Sequence, residues 1–274
     1  MIVYNAGSSM QAGADEALRA GGCLHRLLTF AEIDSFQAKP FKLLVESPPV
    51  PGQLTFIDSG AFGAFSRGAQ IDLGRYCEYI QANKERMAAY AALDVIRDWQ
   101  ATAANVRAMA ARGLDPVPTF HRGSPWPELD RLASEHGYIA LGGVVSDRAG
   151  GRASMEGWLD QCMGRLAARW PVRVHCFGVT AQWAIERYPF YSVDSSSAIV
   201  GGAMGRVMRF QAGQVVQREW REDFAATYDG RVADGVLVEG TAHMGRRFAS
   251  VEASRALERY ATDLWRAKGV TWDS

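Results

Sequence analysis

Short apolar segments that alternate with helix-like segments constrain the fold of this chain more than any other feature of its sequence. Their residues are apolar in unbroken runs rather than at every second position, which is typical of parallel strands buried on both faces. The eight runs cover residues 2–5, 26–30, 54–62, 90–96, 116–121, 138–143, 172–178 and 190–196. Helical periodicity, first-turn prolines and terminal glycines predict helices over 73–88, 99–113, 125–137 and 154–170.

Eight strands with interposed helices predict an α/β protein with a TIM-like (β/α)8 barrel, and a doubly wound open sheet is the alternative. Residues 205–274 depart from this alternation. The segment "GRVMRFQAGQVVQREW" is typical of an antiparallel hairpin, and 251–269 of a closing helix. We therefore predict one domain over 1–274, in which 205–274 form a small C-terminal extension packed on the barrel and no zinc subdomain is present.

The composition allows a sizeable core and indicates a reducing compartment. Of 274 residues, 48% are hydrophobic and 22% are charged. The formal net charge is zero, which neither indicates nor excludes a nucleic-acid partner, because a local basic patch can be hidden in a neutral total. The four cysteines lack metal-site spacing and are interpreted as reduced core residues. No signal peptide and no apolar run of about 20 residues is evident, so we expect a cytoplasmic protein with no membrane partner.

Polar residues and glycines follow the apolar runs at the points where the strands are predicted to end. In a parallel barrel these ends converge on one face, where active sites lie. The residues are Asp58, Ser59, Gly60, Asp94, His121, Gly142, Gly143, Gly178 and Asp194. Any one acid could instead cap the next helix, but three acids at strand ends favour a functional site.

Two of these acids, Asp58 and Asp194, are followed by small residues that let a ligand approach the backbone. Paired carboxylates are the usual equipment for displacement at an anomeric carbon, where one attacks C1′ and the other transfers protons. A spacing of about 5 Å would give retention of configuration. His121 is either a hydrogen-bond donor to the ligand or a core histidine. An unrelated barrel enzyme, such as an aldolase or a metal-dependent hydrolase, would need a strand-end lysine or several histidine ligands, which are not found.

The stretch "DSGAFGAFSRG" at 58–68 resembles the "DSGGFQVFSL" signature of the queuine tRNA-ribosyltransferases, which are the tRNA-guanine transglycosylases. Further segments resemble successive segments of that family in the same order. They are "YAALDVIRD", "PTFHRGSPWPELDRLASEHGYIALGGVV", "VHCFGVT" and "YSVDSSSAIVGG". The resemblance runs from about residue 54 to 205, which is more than half of the chain.

The departures from that family point to a more compact branch. The CxCxxC-plus-His zinc site of the tRNA enzymes has no counterpart, and "SSS" at 195–197 stands where they have "PTR". These features resemble the DNA 7-deazaguanine transglycosylases of phages and bacterial DNA-modification clusters. The resemblance implies DNA rather than tRNA as partner, a free 7-deazaguanine base such as 7-cyano-7-deazaguanine as co-substrate, and no cofactor or metal. It implies the host cytoplasm if the gene is a phage's, and leaves open a homo-oligomer or partner modification proteins.

The resemblance also assigns roles to individual residues. It implies that Asp194 is the nucleophile, that Asp58 is the general acid and base, and that Asp94 binds the Watson–Crick edge of the base. The residues implied to bind the substrate around it are Ser59, Gly60, Phe62, Gly142, Gly143, Gly178 and Ser195, with Phe62 stacking on the base. His121 occupies the place of a family glutamine. The alternatives are a tRNA-guanine transglycosylase acting on RNA and a non-catalytic nucleic-acid-binding relative.

Overall fold

The computed structural model describes residues 1–7, 14–31, 51–143, 151–203, 206–219 and 242–272. Its contacts group the chain into two compact units. The larger unit comprises Leu27–Val179 and Phe190–Ser192, and the smaller comprises Met1–Arg26, Thr180–Pro189 and Val193–Ser274.

Eight strands form one parallel sheet, and each lies within one of the eight predicted apolar runs or overlaps it. They are β1 Ile2–Ala6, β2 Arg26–Thr29, β3 Thr55–Asp58, β4 Ala89–Tyr90, β5 Thr119–His121, β6 Tyr138–Gly142, β7 Arg173–Cys176 and β8 Ser192–Ser195. Their order is β4-β3-β2-β1-β8-β7-β6-β5. A parallel bridge between Ala91 and Val117 follows β4 and precedes β5. The curled, all-parallel sheet with flanking helices confirms the predicted TIM-like (β/α)8 fold class.

The described helices connect these strands. They are α1 Ala14–Ala20, α2 Ala61–Ser66, α3 Leu73–Asn83, α4 Trp99–Ala110, α5 Trp126–Glu135, α6 Gly151–Leu166, α7 Gln182–Arg187, α8 Ser197–Ala203 and α9 Ala242–Ala267. Aspartate side chains cap the amino ends of two of these helices. Asp72 accepts a hydrogen bond from the Arg75 backbone amide, and Asp98 accepts one from the Ala101 backbone amide. The predicted helix over 73–88 is shorter than expected: it ends at Asn83 and passes into a single 3₁₀ turn.

The outer face of the larger unit's sheet packs against α3 and α4. Ile57 of β3 contacts a buried cluster that contains Tyr76, Ile80, Val106 and Met109. Phe120 of β5 points the same way, towards Trp126 and Trp158 on the next two helices. Because side chains alternate along a strand, the neighbours of Ile57 and Phe120 face the interior of the sheet. These interior positions include Asp58, Thr119 and His121.

The smaller unit contains the predicted hairpin and the predicted closing helix. Strands β9, Arg206–Gln211, and β10, Gln214–Glu219, pair antiparallel, with Gln211 opposite Gln214. The closing helix α9 is longer than the predicted 251–269. Its side chains reach two other elements of this unit. Ser254 donates to Asn5 of β1, whereas Tyr260 donates to Glu186 and the Trp265 indole to the Ile185 carbonyl, both of α7. None of the described helices is long and apolar enough to cross a membrane.

Candidate functional site

The carboxyl ends of β3 to β6 bring together Asp58, Asp94, His121 and Gly142, all of the larger unit. The Asp94 Oδ2 atom lies 3.2 Å from His121 Nε2. A Cβ atom added at Gly142 would lie 3.2 Å from the same nitrogen. Burial of the phenol raises the pKa of Tyr76 most, and the charges of Asp58 and Asp94 raise it further, so both carboxylates act on this side chain. Three residues that the sequence singled out, Asp94, His121 and Gly142, are thus neighbours, and Asp58 shares the influence of Asp94 on Tyr76.

The turn after β3 directs the chain away from the sheet immediately after Asp58. Ser59 is fully buried, and its hydroxyl accepts from the Ala61 amide at 3.4 Å. Gly60 has a left-handed backbone with φ of 80°. A Cβ there would lie 2.6 Å from both the Thr29 methyl and the Ala31 Cβ, so only glycine fits. Glycine is therefore required at position 60 because the chain turns there from β3 into α2 in close contact with the end of β2.

Asp94 lies in a segment that helix α4 holds in place. The Thr102 hydroxyl accepts from the Val95 amide at 2.9 Å, and the Asn105 amide donates to the Leu93 carbonyl at 2.8 Å. The Asp94 side chain is only 11% exposed. Its Oδ2 faces His121, whereas its Oδ1 is buried and has no hydrogen-bond partner among the residues that the structure describes. A buried acceptor without a donor is costly, so this oxygen is the strongest structural indication of a ligand.

His121 is the last residue of β5, and Asp94 controls its charge. Burial lowers the pKa of the imidazole, but attraction to the Asp94 carboxylate and the hydrogen bond to it raise the pKa, and the net result lies above the ordinary value of 6.5. Gly142 lies opposite His121 in the register of β5 and β6. A side chain at 142 would press on the imidazole ring, since an added Cβ would lie 3.0 Å from its Cδ2. Glycine therefore keeps the space beside this ring open.

Thr119 shares the interior face with His121, and the sequence reasoning missed it. Its hydroxyl is buried and lacks a hydrogen-bond partner in the described part of the chain. Small residues of β6 stand opposite the two interior positions, Ala140 opposite Thr119 and Gly142 opposite His121. The signal was present in the sequence, because alternation about the outward-facing Phe120 puts Thr119 on the side of His121.

Tyr76 is the second residue that the sequence did not indicate. Its hydroxyl donates to the Ala91 carbonyl at 2.7 Å, and the side chain is fully buried. Since burial, Asp58 and Asp94 all raise its pKa, the phenol stays neutral. Tyr76 therefore fixes the chain just before Asp94 and adds no charge to the two carboxylates.

Aromatic rings fill the interior of the larger unit next to these polar groups. The His175 ring centroid lies 4.8 Å from that of Phe56 and 4.4 Å from that of Phe177. His175 Nδ1 lies 2.7 Å from the Ser192 hydroxyl, which also bonds to the Tyr138 hydroxyl. His175 is therefore held within the core. Phe56 precedes Asp58 by two residues on the same strand face, so aromatic surface borders the carboxylates.

The remaining predicted pocket residues of the larger unit follow the same strand ends. Gly143 and Gly178 have left-handed φ values of 81° and 71° after β6 and β7. The Gly142 carbonyl accepts from the Arg122 amide at 3.2 Å, which joins the ends of β5 and β6. Phe62, in the first turn of α2, is 58% exposed and open to a partner.

Asp194 and Ser195 end β8 in the smaller unit. Asp194 is buried. The Ser195 hydroxyl accepts from the Ser197 amide at 3.0 Å and lies 2.6 Å from the Ser197 hydroxyl, at the start of α8. Ser195 also lines a cavity of about 20 Å³ with Val3, Thr180 and Ser254, which has room for one water molecule. The side chain of Ser195 thus stabilises the turn between β8 and α8.

The arrangement in the larger unit suits recognition of a flat polar ring. It offers a buried acceptor at Asp94 and, at His121, an imidazole whose charged form the Asp94 carboxylate favours. A second carboxylate, Asp58, and aromatic surface lie close by. Among the described residues, no three histidine, cysteine, aspartate or glutamate side chains cluster as a metal site would require.

No protein-family model matches the sequence, and no curated protein matches it. Among solved structures, the carboxyl transferase domain of Rhizobium etli pyruvate carboxylase aligns over 94% of this chain at 13% identity, with a TM-score of 0.41. The alignment covers 48% of that structure, so the chain spans about half of its length.

Proposed function

We propose that the protein is a DNA-guanine transglycosylase, which exchanges guanine in DNA for a 7-deazaguanine base such as 7-cyano-7-deazaguanine. The observation that carries the proposal is the Asp94 carboxylate, with one oxygen held by His121 and the other buried without a donor. The sequence resemblance supplies the reaction, and the geometry of this site supports a base as ligand.

Guanine complements the pair of Asp94 and His121. Its Watson–Crick edge carries N–H donors at N1 and N2, which suit the unpaired Asp94 Oδ1. The adjacent O6 is an acceptor, which suits an N–H of the His121 imidazole, whose charged form Asp94 favours. Adenine offers an amino donor where guanine has O6, and a protonated imidazole has no acceptor for it. The site therefore favours guanine, and 7-deazaguanines share the same edge.

The proposed reaction is a double displacement. The target nucleotide leaves the base stack so that its base reaches the site. The Asp194 carboxylate attacks C1′, the C1′–N9 bond breaks, and guanine leaves with the electron pair while Asp58 supplies a proton. The sugar is then held as an ester of Asp194. The incoming base loses its N9 proton to Asp58 as N9 attacks C1′ and displaces the Asp194 carboxylate, which restores both acids.

The choice of DNA over tRNA rests on the sequence. The zinc-site motif of the tRNA enzymes is missing, and the "SVDSSS" and "FHRGSPW" segments resemble the DNA branch. An enzyme acting on tRNA is the second candidate, and offering both nucleic acids to the protein separates the two.

The covalent step provides a direct test. Incubation with DNA in the absence of a competing base should give an adduct that denaturing gels and intact-mass measurement detect. Asp194→Ala should form no adduct and should not exchange labelled guanine. Asp160→Ala, which removes an acid from α6, is the matched control and should behave as the wild type. An Asp194→Ala protein that still exchanges guanine would refute the assignment.

A further inference from the structure

Three large aromatic side chains are exposed a few residues along the chain from the two carboxylates of the larger unit. Phe62 and Phe65 on α2 are 58% and 50% exposed, and Trp99 at the start of α4 is 37% exposed. Helix α2 begins three residues after Asp58, and Trp99 follows Asp94 by five. Exposed aromatic rings are uncommon on a surface without a partner, and here they stand on the two connections that carry the site's acids.

Arginines accompany these rings. The Arg97 guanidinium lies over the Phe65 ring, 5.8 Å from its centroid. Arg97 has a left-handed φ of 69°, which is unfavourable for a residue with a side chain. The Arg67 guanidinium lies over Gly63, 3.5 Å from where a Cβ would be. Within the residues that the structure describes, neither arginine takes part in an ion pair, so both charges are available to an anion.

We infer that this surface, formed by Phe65, Arg67, Arg97 and Trp99, binds the unstacked nucleotides that flank the target guanine in a single strand. Flat rings stack on any base, and arginines neutralise phosphates, which is how proteins bind single strands without reading their sequence. The inference rests on the proposed function and adds to it the state of the DNA: the strand is opened around the target rather than held as an intact duplex.

A guanine-free oligothymidylate of about 12 nucleotides, within the usual site size of single-strand binders, tests this surface without allowing base exchange. Fluorescence anisotropy should show that the full chain binds this strand more tightly than the matching duplex. Phe65→Ala and Trp99→Ala should each weaken binding roughly tenfold, the effect of losing one stacked base. Arg97→Gln should reduce the slope of log affinity against log salt by about 0.7, the loss of one phosphate contact to a single strand.

Matched controls lie at the opposite ends of the strands. Trp170 is 39% exposed just before β7, and Arg169 adjoins it. Trp170→Ala and Arg169→Gln should bind the oligothymidylate as the wild type does, and thermal melting should show that every variant is folded.

The outcomes separate this inference from the proposed function. If no exchange occurs but Phe65→Ala weakens oligothymidylate binding, the surface stands and the proposed reaction fails. If exchange proceeds but Phe65→Ala and Trp99→Ala bind as the wild type, or if Trp170→Ala weakens binding equally, the inference is overturned. It is also overturned if Phe65→Ala abolishes self-association in sedimentation and leaves oligothymidylate binding intact, because the surface would then join two copies of the chain.

Discussion

The two ends of the strands in the larger unit differ in how completely their polar groups are satisfied. The amino ends of β4 to β7 border a cavity of about 470 Å³, whose lining includes Tyr90, Asp115, His136 and Arg173. Of the described side chains that line it, none has a buried polar atom without a partner. At the carboxyl ends, Asp94 Oδ1 and the Thr119 hydroxyl are both buried and have no hydrogen-bond partner within the described ranges.

Buried polar atoms without hydrogen-bond partners are therefore a better guide to a binding site in this unit than the volume of a cavity. A cavity only reduces the number of packing contacts. A buried polar atom without a hydrogen-bond partner lowers the stability by about 1–3 kcal/mol unless a ligand or a water molecule bonds to it. His136 illustrates the contrast with His121. Burial lowers the pKa of His136 and favours the neutral ring, whereas at His121 the Asp94 carboxylate outweighs burial and raises the pKa above 6.5.

The largest expected effect is on proton transfer. Asp58→Asn should slow guanine exchange by about 10²–10⁴-fold, because the amide cannot donate or accept the N9 proton. Initial rates with labelled guanine measure this effect. Asp115→Asn at the amino-end cavity is the control and should leave the rate unchanged. Equal losses in the two variants would show that the two ends do not differ in function.

The next effect is on binding of the base. Asp94→Asn keeps the shape of the side chain but removes its charge, and should weaken guanine binding by roughly tenfold to a hundredfold, as is usual for a charged hydrogen bond. Isothermal titration calorimetry with free guanine gives the affinity. His136→Gln provides the comparison at the other end and should bind guanine normally. An unchanged guanine affinity in Asp94→Asn would show that Asp94 does not bind the base.

The pH dependence of binding follows from the raised pKa of His121. A raised folded-state pKa means that the His121–Asp94 interaction is fully present below the ordinary value of 6.5 and is lost as the pH rises through the folded-state value. Guanine affinity and the free energy of unfolding should both fall over that interval. His121→Gln should remove this dependence, and NMR titration should place the imidazole pKa above 6.5 in the wild type and lower in Asp94→Asn. A wild-type pKa below 6.5 would contradict the pairing.

The smallest effect separates binding from stability. Thr119→Val removes a buried hydroxyl that has no partner, so the free energy of unfolding should stay the same or rise by up to about 1 kcal/mol. Guanine binding should nevertheless weaken a few-fold. Thr102→Val removes a hydroxyl with three backbone contacts and should destabilise the protein by about 1 kcal/mol. Chemical denaturation and calorimetry check both variants, and a destabilised Thr119→Val would show that its hydroxyl has a partner in the protein.

The positions of all eight strands could be predicted from the sequence because buried parallel strands need unbroken apolar runs. Their lengths could not. The run over 54–62 continues past Asp58, yet the chain turns at Gly60 and forms α2, since the left-handed turn ends the strand. Helices α1, α7 and α8 have only six or seven residues, too few for a helical period to be recognised.

The site could be predicted where it consists of polar residues at strand ends. Asp58, Asp94 and His121 fall in this class, because strand ends converge in a parallel barrel. Tyr76 could not be predicted, since it lies in helix α3 and its hydroxyl bonds to Ala91, which is 15 residues away in the sequence. The single-domain prediction, the residue roles carried over from the resemblance and the DNA partner remain predictions.

Base exchange tests the central claim most directly. The protein is incubated with labelled guanine and, in parallel, with duplex DNA, single-stranded DNA and tRNA, and the label retained in each nucleic acid is counted. We predict incorporation into DNA, faster in the single strand, and displacement of that label by a 7-deazaguanine base. Incorporation into tRNA alone, or into no nucleic acid while the protein is folded, would contradict the account.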